Sequence, residues 1–312
     1  MARAVTLRGL ALGARGARRS SQRRPCLDPE LLPEDLSPGD AADAQRDGSE
    51  LRVHRVRDAS DPDFAMAYER LWLEFGSRGE METRDVIADR LRWDPSQPLN
   101  LGRAGRAALL YELLVLRRDE QVAALRDHTA VVRISPQGRP FGPVVVHLSH
   151  AYVESAHRGT GLIAWLRALP LQAARRAAQA AGAPAGMSIV LVAEMESPDP
   201  GDVPRMSRLR SYARAGFLKI DPAAAPYAQP DFRPPEVLAR SVPRPVPLHL
   251  IVRRVGRESQ EEMPAAEVAA IVDSIYAVYG VHTPEAALAP LRADAQRWIA
   301  RTPRFRLLPP TA

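Results

Sequence analysis

The stretch of sequence from Val144 to Leu169 reads VVVHLSHAYVESAHRGTGLIAWLRAL. Its first part is rich in β-branched and apolar side chains, which predicts a strand over 144–153. A polar loop at 154–160 follows, and a helix is predicted from Gly161 to Ala181 because apolar residues recur there at helical spacing. The chain is therefore expected to pass from a strand through a short loop directly into a helix.

The junction between this strand and helix is suited to bind an anion. The first turn of a helix leaves backbone N–H groups without partners and carries the positive end of the helix dipole. Gly159 and Gly161 let a phosphate approach that backbone, and Arg158 adds a positive charge. A P-loop needs Gly-Lys-Ser/Thr and a dinucleotide fold needs three glycines, and the stretch has neither pattern. A pyrophosphate site and a simple tight turn both remain open.

The elements around the stretch indicate a domain that mixes strands and helices. A first strand begins at Leu51, two amphipathic helices follow up to Trp93, and a hairpin occupies 109–134. The second strand of the hairpin is expected to bend or break at the charged triplet 126–128. The other predicted elements are a buried strand at 188–195, a helix at 207–215, a Pro-rich loop at 221–247, a strand at 248–255 and two C-terminal helices.

Two segments resemble motifs of one enzyme family. Residues 153–162, VESAHRGTGL, are similar to motif A of the GNAT superfamily of N-acetyltransferases, in which Arg/Gln-x-x-Gly-x-Gly/Ala follows a hydrophobic strand. Arg158 and Gly161 match this pattern, whereas Ile163 stands where the family has Gly or Ala. Residues 208–217, RLRSYARAGF, resemble motif B, a short helix that ends in Tyr-x-x-x-Gly-Phe.

The resemblance covers residues 51–255, where the order of elements is also that of the family. It implies an α+β fold, with a central mixed, largely antiparallel sheet that contains a splayed strand pair and is flanked by helices. Residues 1–50 are expected to be a disordered Arg-rich and Pro-rich arm. Residues 256–312 are expected to be a C-terminal helical extension that docks on the main domain or on a second subunit.

The family's use of acetyl-CoA implies roles for particular residues. The co-substrate is expected in the cleft between the splayed strands, and Tyr212, the tyrosine of motif B, is implied to protonate the departing thiolate. No metal is expected, because the histidines are not accompanied by carboxylates at ligand spacing. The implied cofactor-binding residues are Ala151, Tyr152 and Val153 through their backbone, and Arg158, Gly159, Thr160, Gly161 and Leu162 around the pyrophosphate.

The acceptor amine must be neutral before it attacks, so a base or a water relay near the cleft is expected to remove its proton. Strand alternation predicts His147 on one face of its strand with Ala151 and Val153, and His150 on the opposite face. His147 is the first candidate because an unperturbed histidine, with a pKa of about 6.5, transfers protons near neutral pH. Glu194 is the second candidate. The other candidates left open are Ser149, His150 and Glu196.

The net charge of +6 belongs to the N-terminal tail. Seven arginines precede the first acidic residue, Asp28, so the remainder of the chain is close to neutral and no nucleic-acid partner is expected. The Arg-rich residues 1–27 have the composition of an organellar transit peptide, or are a disordered or wrongly assigned start. No apolar run reaches the ~18 residues that span a bilayer, so no membrane contact is expected and a cytoplasmic location is predicted.

The sequence therefore predicts an acetyl-CoA-dependent N-acetyltransferase. It would move an acetyl or other short acyl group to a primary amine by direct attack of the amine on the thioester. The alternative is a non-catalytic CoA-binding sensor or scaffold of the same fold. A small-molecule or peptide amine is the expected acceptor, its identity is open, and the Pro-rich segment 221–247 is the candidate flap on its side. The C-terminal helices are the candidate surface for a homodimer.

Overall fold

The quoted stretch folds into a strand followed by a helix, as predicted. It belongs to a computed structural model that describes residues 35–37, 39–40, 51–102, 105–233, 235–238, 240–242 and 244–312. The strand begins earlier than expected, at Pro140, because the residues after the Gly138 turn pair with the preceding strand. The helix follows Gly161, whose positive φ of 86° ends the loop in a conformation that favours glycine.

In the described part of the chain, ten strands form one sheet and two more form a separate short pair. The separate pair lies within the Pro-rich segment, which was expected to be a loop. The strands are β1 (Leu51–Arg55), β2 (Leu99–Asn100), β3 (Arg106–Arg118), β4 (Gln121–Ile134), β5 (Pro140–Val153), β6 (Ile189–Met195), β7 (Leu218–Ile220), β8 (Ala228–Gln229), β9 (Val246–Pro247), β10 (His249–Arg254), β11 (Glu262–Pro264) and β12 (Arg304–Leu308).

The α-helices lie on both faces of the sheet, and short 3₁₀ turns at Gly76–Arg78 and Ser155–His157 connect elements. None of the described helices is long and apolar enough to cross a membrane. The α-helices of the described residues are α1 (Pro62–Phe75), α2 (Arg84–Arg90), α3 (Leu162–Ala180), α4 (Val203–Arg214), α5 (Pro235–Leu238), α6 (Ala265–Tyr279) and α7 (Glu285–Arg301).

The sheet is mixed and largely antiparallel, which confirms the predicted fold class. Its strand order is β1-β3-β4-β5-β6-β10-β7-β12-β11, and β2 pairs with β3 at the margin. Only β5 and β6 run parallel among the described strands, because α3 connects them as a crossover. All other neighbours in the sheet are antiparallel.

The two parallel strands diverge after four paired positions. Their register runs from Val144 opposite Ile189 to His147 opposite Val192. Beyond that point β5 stays paired with β4 as far as Val153, while β6 stays paired with β10 as far as Met195. Each strand therefore keeps one partner and turns its other edge toward a gap. This gap, called the cleft below, confirms the predicted splayed strand pair.

A β-bulge in β5 lies directly at the divergence. Asp127 of β4 is opposite His150, and Thr129 is opposite His147. Between these two pairs β5 advances by three residues and β4 by only two, so β5 contains one extra residue. An extra residue exchanges the faces of all side chains that follow it. The prediction that placed His147 and His150 on opposite faces is therefore wrong. Both point to one face, and Ala151 points to the other.

Each face of the sheet is covered by helices. On one face Val144 and Val146 pack with Leu171 of α3 and Tyr212 of α4. On the other face Val145 packs in a cluster that contains residues of α6 and α7. Helices α1 and α2 cover the β3–β4 part of this second face, next to α6. The continuous apolar run at 144–146 fits a part of β5 that is buried on both sides.

The C-terminal extension is part of the main core. Residues 256–312 contain the helices α6 and α7 and also supply β11 and β12, which the sequence pattern did not indicate. Strand β12 pairs with β7 and so extends the central sheet. The side chains of Ile271, Ile275 and Phe305 are fully buried in the same cluster as Val145 and Val252. The sheet and the extension therefore share one hydrophobic core.

Part of the predicted N-terminal arm contacts the body of the protein. Most of residues 1–50 lie outside the described residues, but 35–37, 39 and 40 are described and pack on α3. Asp40 forms a buried ion pair with Arg167, and Asp35 pairs with Arg175. For these five residues the structure differs from the expected disorder, because two carboxylates meet arginines on α3. No apolar periodicity signals this contact in the sequence.

Replacing Ile275 with alanine tests the shared core. The side chain has no exposed surface, so its truncation should lower the free energy of unfolding by about 2–5 kcal/mol. The control is Leu73→Ala on α1, where the side chain is 81% exposed and the change should stay within about 0.5 kcal/mol. Urea denaturation measures both. Equal effects of the two substitutions would contradict the placement of α6 in the core.

Candidate functional site

The loop between β5 and α3 carries the residues predicted to bind the pyrophosphate. A 3₁₀ turn at Ser155–His157 leads into Arg158, and the loop ends with Gly159 and Gly161 at φ values of 76° and 86°. Only glycine adopts such φ values without strain, so these two positions are specified by the backbone. A side chain added at Gly159 would meet no atom within 4 Å, which shows that the space above the loop is open.

The loop presents a row of free backbone donors. Within the described residues, the N–H groups of Gly159, Thr160, Gly161, Leu162 and Ile163 donate to no backbone or side-chain acceptor, whereas Ala164 already donates to Gly161. Such a row at the start of a helix attracts negative charge through the N–H groups and the helix dipole. The predicted set of residues around the pyrophosphate is therefore brought together at one end of α3.

Two side chains of this loop are held by the backbone. The Arg158 Nε donates to the Val153 carbonyl at 3.1 Å, and the rest of its guanidinium is exposed. The Thr160 hydroxyl donates to the His157 carbonyl at 2.7 Å, so it shapes the turn and offers a ligand only its lone pairs. The Leu162 side chain is buried in the core and leaves only its N–H group for the site.

The backbone of β5 beyond the bulge faces the cleft at alternate residues. The Glu154 N–H donates to the Ala123 carbonyl of β4 at 3.0 Å. In an antiparallel ladder every second residue directs its backbone groups to the same neighbour, so the backbone N–H and carbonyl of Tyr152 also point toward β4. Ala151 and Val153 therefore direct their N–H and carbonyl groups into the cleft, where the Val153 carbonyl already accepts from the Arg158 Nε. Of the three residues predicted to bind the pantetheine arm, two are placed to do so by their backbone and Tyr152 is not.

Tyr212 lies on the face of the sheet that carries α3 and α4. Its ring packs edge-to-face on Phe217, with centroids 4.9 Å apart, and the Arg167 guanidinium lies 5.7 Å from its ring centroid. The residue is 7% exposed, and its hydroxyl makes no hydrogen bond with any described residue. The ring is therefore fixed while the hydroxyl remains available. The catalytic role predicted for Tyr212 stays a prediction.

His147 and Glu194, the predicted base candidates, lie together where β5 and β6 diverge. The His147 Nε2 is 2.8 Å from the Glu194 carboxylate, and both side chains are buried. Tyr227 donates to Glu194 at 2.6 Å, and Tyr279 of α6 donates to its other oxygen. Burial by itself would raise the pKa of Glu194, but the hydrogen bonds from His147 and the tyrosines outweigh it and hold this pKa below its ordinary value.

A second buried cluster surrounds His150. Asp127 accepts from the His150 backbone at 2.7 Å and lies 3.0 Å from the ring Nδ1, and Tyr111 donates to the same carboxylate at 2.9 Å. Burial opposes the charge on His150, but Asp127 outweighs burial and raises the His150 pKa to about 9. The opposite ring nitrogen reaches the Glu80 carbonyl at 3.1 Å. His150 is therefore a bound cation rather than a free base.

The remaining candidates are placed differently. Glu196 follows β6 and is paired with Arg205 and Arg208 of α4. Ser149 lies in the bulge, and its hydroxyl has no partner among the described residues. Sequence reasoning missed several residues of the two buried clusters. Asp127 left a signal, a charged triplet inside an apolar strand, whereas Tyr279 simply continues the apolar stripe of its helix. The missed residues are Tyr111, Asp127, Tyr227 and Tyr279.

One group of possible metal ligands lies away from the cleft. Among the described residues, His54, Asp61 and Asp63 place ligand atoms within 4.8 Å of one another. Asp61 caps α1 through the Asp63 N–H at 3.0 Å, and Asp63 is paired with Arg117. These contacts account for the group as the start of a helix, and we assign no metal to it.

Comparisons with solved structures find acetyltransferases. An acetyltransferase from Streptococcus agalactiae has a TM-score of 0.34 and 11% identity, with 66% of this chain and 98% of that chain covered. A tandem GNAT protein from the clavulanic acid biosynthesis pathway has a TM-score of 0.36 and 15% identity, with 58% and 47% covered. A GNAT family acetyltransferase from Elizabethkingia anophelis, solved with acetyl-CoA bound, has a TM-score of 0.30 and 10% identity, with 66% and 98% covered.

No family model matches the chain, and no curated protein matches it in sequence. The GNAT proteins found by structure comparison belong to the family that the two sequence motifs resemble. At these identities and TM-scores, the function of the chain has to be argued from its own residues.

Replacing Asp127 with asparagine tests the His150 cluster. The His150 pKa is raised from 6.5 to about 9, so the pair should stabilise the fold fully below pH 6.5 and progressively less as the pH rises through about 9. Asp127→Asn leaves a buried cation without its partner and should cost about 3–5 kcal/mol at pH 6. Urea denaturation between pH 6 and 9.5 measures this. If the free energies of unfolding of variant and parent differ by the same amount at every pH, the pairing is contradicted.

Proposed function

We propose that the chain is a GNAT-type N-acetyltransferase that transfers an acetyl group from acetyl-CoA to a primary amine. The observation that carries this proposal is that the cleft between β5 and β6 and the row of free amides at Gly159 to Ile163 lie at the same end of α3. A diphosphate and an extended chain attached to it would then be bound by one continuous surface. The two sequence motifs support the same assignment.

The residues around the cleft fit acetyl-CoA. The free amides and the exposed guanidinium of Arg158 suit a pyrophosphate, because each N–H offers a hydrogen bond to an anionic oxygen. The cleft-facing backbone of Ala151 and Val153 suits the amide groups of a pantetheine arm, which would pair with it like an added strand. The bound co-substrate supplies the acetyl thioester that the amine attacks.

Two groups of this chain have proposed roles in the reaction. The Val153 N–H, directed into the cleft, is proposed to bond the thioester oxygen as it gains negative charge. The Tyr212 hydroxyl is proposed to donate its proton to the departing sulfur. This assignment draws on the motif B resemblance and on the hydroxyl's lack of any described partner.

We propose a structural role for the hydrogen-bonded pair of His147 and Glu194. The pair holds β5 and β6 in place on the two sides of the cleft. Glu194 accepts from three donors and has a lowered pKa, which suits a permanent acceptor better than a group that gains and loses a proton. By joining β5 to β6 and to Tyr279 of α6, the pair ties both sides of the divergence to the opposite helix. The sequence-based assignment of His147 as the base is the alternative that mutation can test.

The phosphate-binding loop is tested with two matched glycine substitutions. Gly159→Ala and Gly182→Ala place the same methyl group at φ values of 76° and 70°, at opposite ends of α3, with nothing within 4 Å of either. Each should cost about 1–2 kcal/mol of stability. Calorimetric titration with acetyl-CoA should show at least about tenfold weaker binding for Gly159→Ala only. Equal affinities of both variants would contradict the assigned loop.

The proposed acid is tested with Tyr212→Phe. General acid catalysis typically contributes 10²–10⁴-fold, so kcat for acetyl transfer to the best amine should fall about 100-fold. The Kd for acetyl-CoA should change less than about twofold, because the hydroxyl makes no contact that the fold needs. Thiol release from acetyl-CoA measures the rate. An unchanged kcat in the variant would show that Tyr212 only packs in the core. If the parent protein binds acetyl-CoA but acetylates no primary amine, the non-catalytic sensor is favoured instead.

A further inference from the structure

The described part of the N-terminal arm contacts three elements of the body. At one end Asp35 pairs with Arg175 of α3, and the Asp35 carbonyl accepts from Arg253 of β10 at 2.6 Å. At the other end the backbone at Gly39 packs so closely on α4 that an added Cβ would clash with the Arg214 carbonyl. The arm therefore lies between α3 and α4, and Gly39 permits the close approach because it has no side chain.

Asp40 of the arm binds an arginine that also contacts the end of α4. Both carboxylate oxygens of Asp40 accept from the Arg167 guanidinium, one from Nε at 2.9 Å and the other from Nη2. The third nitrogen, Nη1, donates to the Ser211 hydroxyl of α4 at 3.0 Å. Asp40 and Arg167 are each only 2% exposed. The guanidinium therefore connects the arm to the residue that directly precedes Tyr212.

The same guanidinium contacts the Tyr212 ring. Its central carbon lies 5.7 Å from the ring centroid, and Phe217 packs edge-to-face on the ring. A cation near an aromatic face is attracted by the ring quadrupole, and the attraction is stronger where water is excluded. The Tyr212 hydroxyl makes no hydrogen bond with any described residue. The orientation of the phenol therefore depends on the contacts of its ring, and Arg167 supplies one of them.

The contact between Arg167 and the Tyr212 ring depends on Asp40. A buried guanidinium that has lost its anion is costly, because burial has already removed its hydration. Among the described residues, Asp40 is the only carboxylate that pairs with Arg167. Without this carboxylate the long Arg167 side chain is expected to turn toward water. The ring would then keep its packing on Phe217 but lose the contact on which its angle depends.

We propose that Asp40 is a positioning residue for Tyr212, because it holds Arg167 against the tyrosine ring and so directs the hydroxyl toward the sulfur of acetyl-CoA. This inference rests on the proposed function, in which Tyr212 gives its proton to the sulfur as the bond from the acetyl carbon breaks, and recovers a proton from solvent. It adds a requirement for the docked arm. The arm lies outside residues 51–255, so the two motifs do not indicate this role.

The experiment compares Asp40→Asn with Glu267→Gln in the full chain. Glu267 of α6 pairs with Arg254 at 2.8 Å, and their side chains are 11% and 4% exposed, so Glu267→Gln removes a largely buried carboxylate on the other face of the sheet. Thiol release from acetyl-CoA measures kcat, and calorimetry measures the Kd. Asp40→Asn should lower kcat at least about tenfold and change the Kd less than about twofold. Glu267→Gln should change neither value more than about twofold.

A double-mutant cycle shows whether Asp40 acts through Tyr212. In Tyr212→Phe the proposed acid is already absent, so the addition of Asp40→Asn should lower kcat by less than about a further twofold. A loss of the same factor in both backgrounds would mean that Asp40 affects the rate without Tyr212, and would overturn the proposal. An unchanged kcat in Asp40→Asn alone would overturn it as well.

Gly39→Ala replaces Asp40→Asn if that variant does not fold. The added methyl group forces the arm away from the Arg214 carbonyl without removing a charge, so kcat should fall by a similar factor. The outcomes also separate this inference from the proposed function. If Tyr212→Phe loses kcat and Asp40→Asn does not, only this inference is overturned. If the parent acetylates no primary amine, or if Tyr212→Phe keeps its kcat, the role proposed for Tyr212 is overturned with it.

Discussion

The divergence of β5 from β6 after His147 and Val192 is the constraint on which the rest of the site depends. Two parallel strands normally continue side by side, but here each is held by its antiparallel neighbour, β4 on one side and β10 on the other. Backbone groups that would pair across the sheet are thereby left for a ligand. The bulge in β5 occurs at the same point and sets which side chains face the gap.

The two faces of the divergence have different chemistry. The face toward α3 and α4 has the glycine loop, Arg158 and Tyr212, to which the proposed function assigns the co-substrate and its leaving group. The face toward α1 and α6 contains two buried pairs, His147 with Glu194 and His150 with Asp127.

The C-terminal extension completes the face of the divergence that is covered by α1 and α6. Tyr279 of α6 reaches Glu194 across the sheet, and α6 packs on the strands that form the divergence. A buried carboxylate needs several donors to remain charged, and the extension supplies one of them. The extension is therefore required for the electrostatics of the cleft as well as for its hydrophobic core.

The sequence by itself determined the elements that depend on local order. The strand, loop and helix of 144–180, the glycines of the loop and the helix of motif B follow from periodicity and from backbone conformations that neighbouring residues set. Tertiary structure alone decided which side chains meet. The faces of His147 and His150 depend on a bulge in the pairing of β5 with β4, and β12 and Tyr279 acquire their roles from contacts with residues far away in the chain. Such contacts leave no periodic pattern, because each involves single residues whose partners are fixed only when the sheet forms.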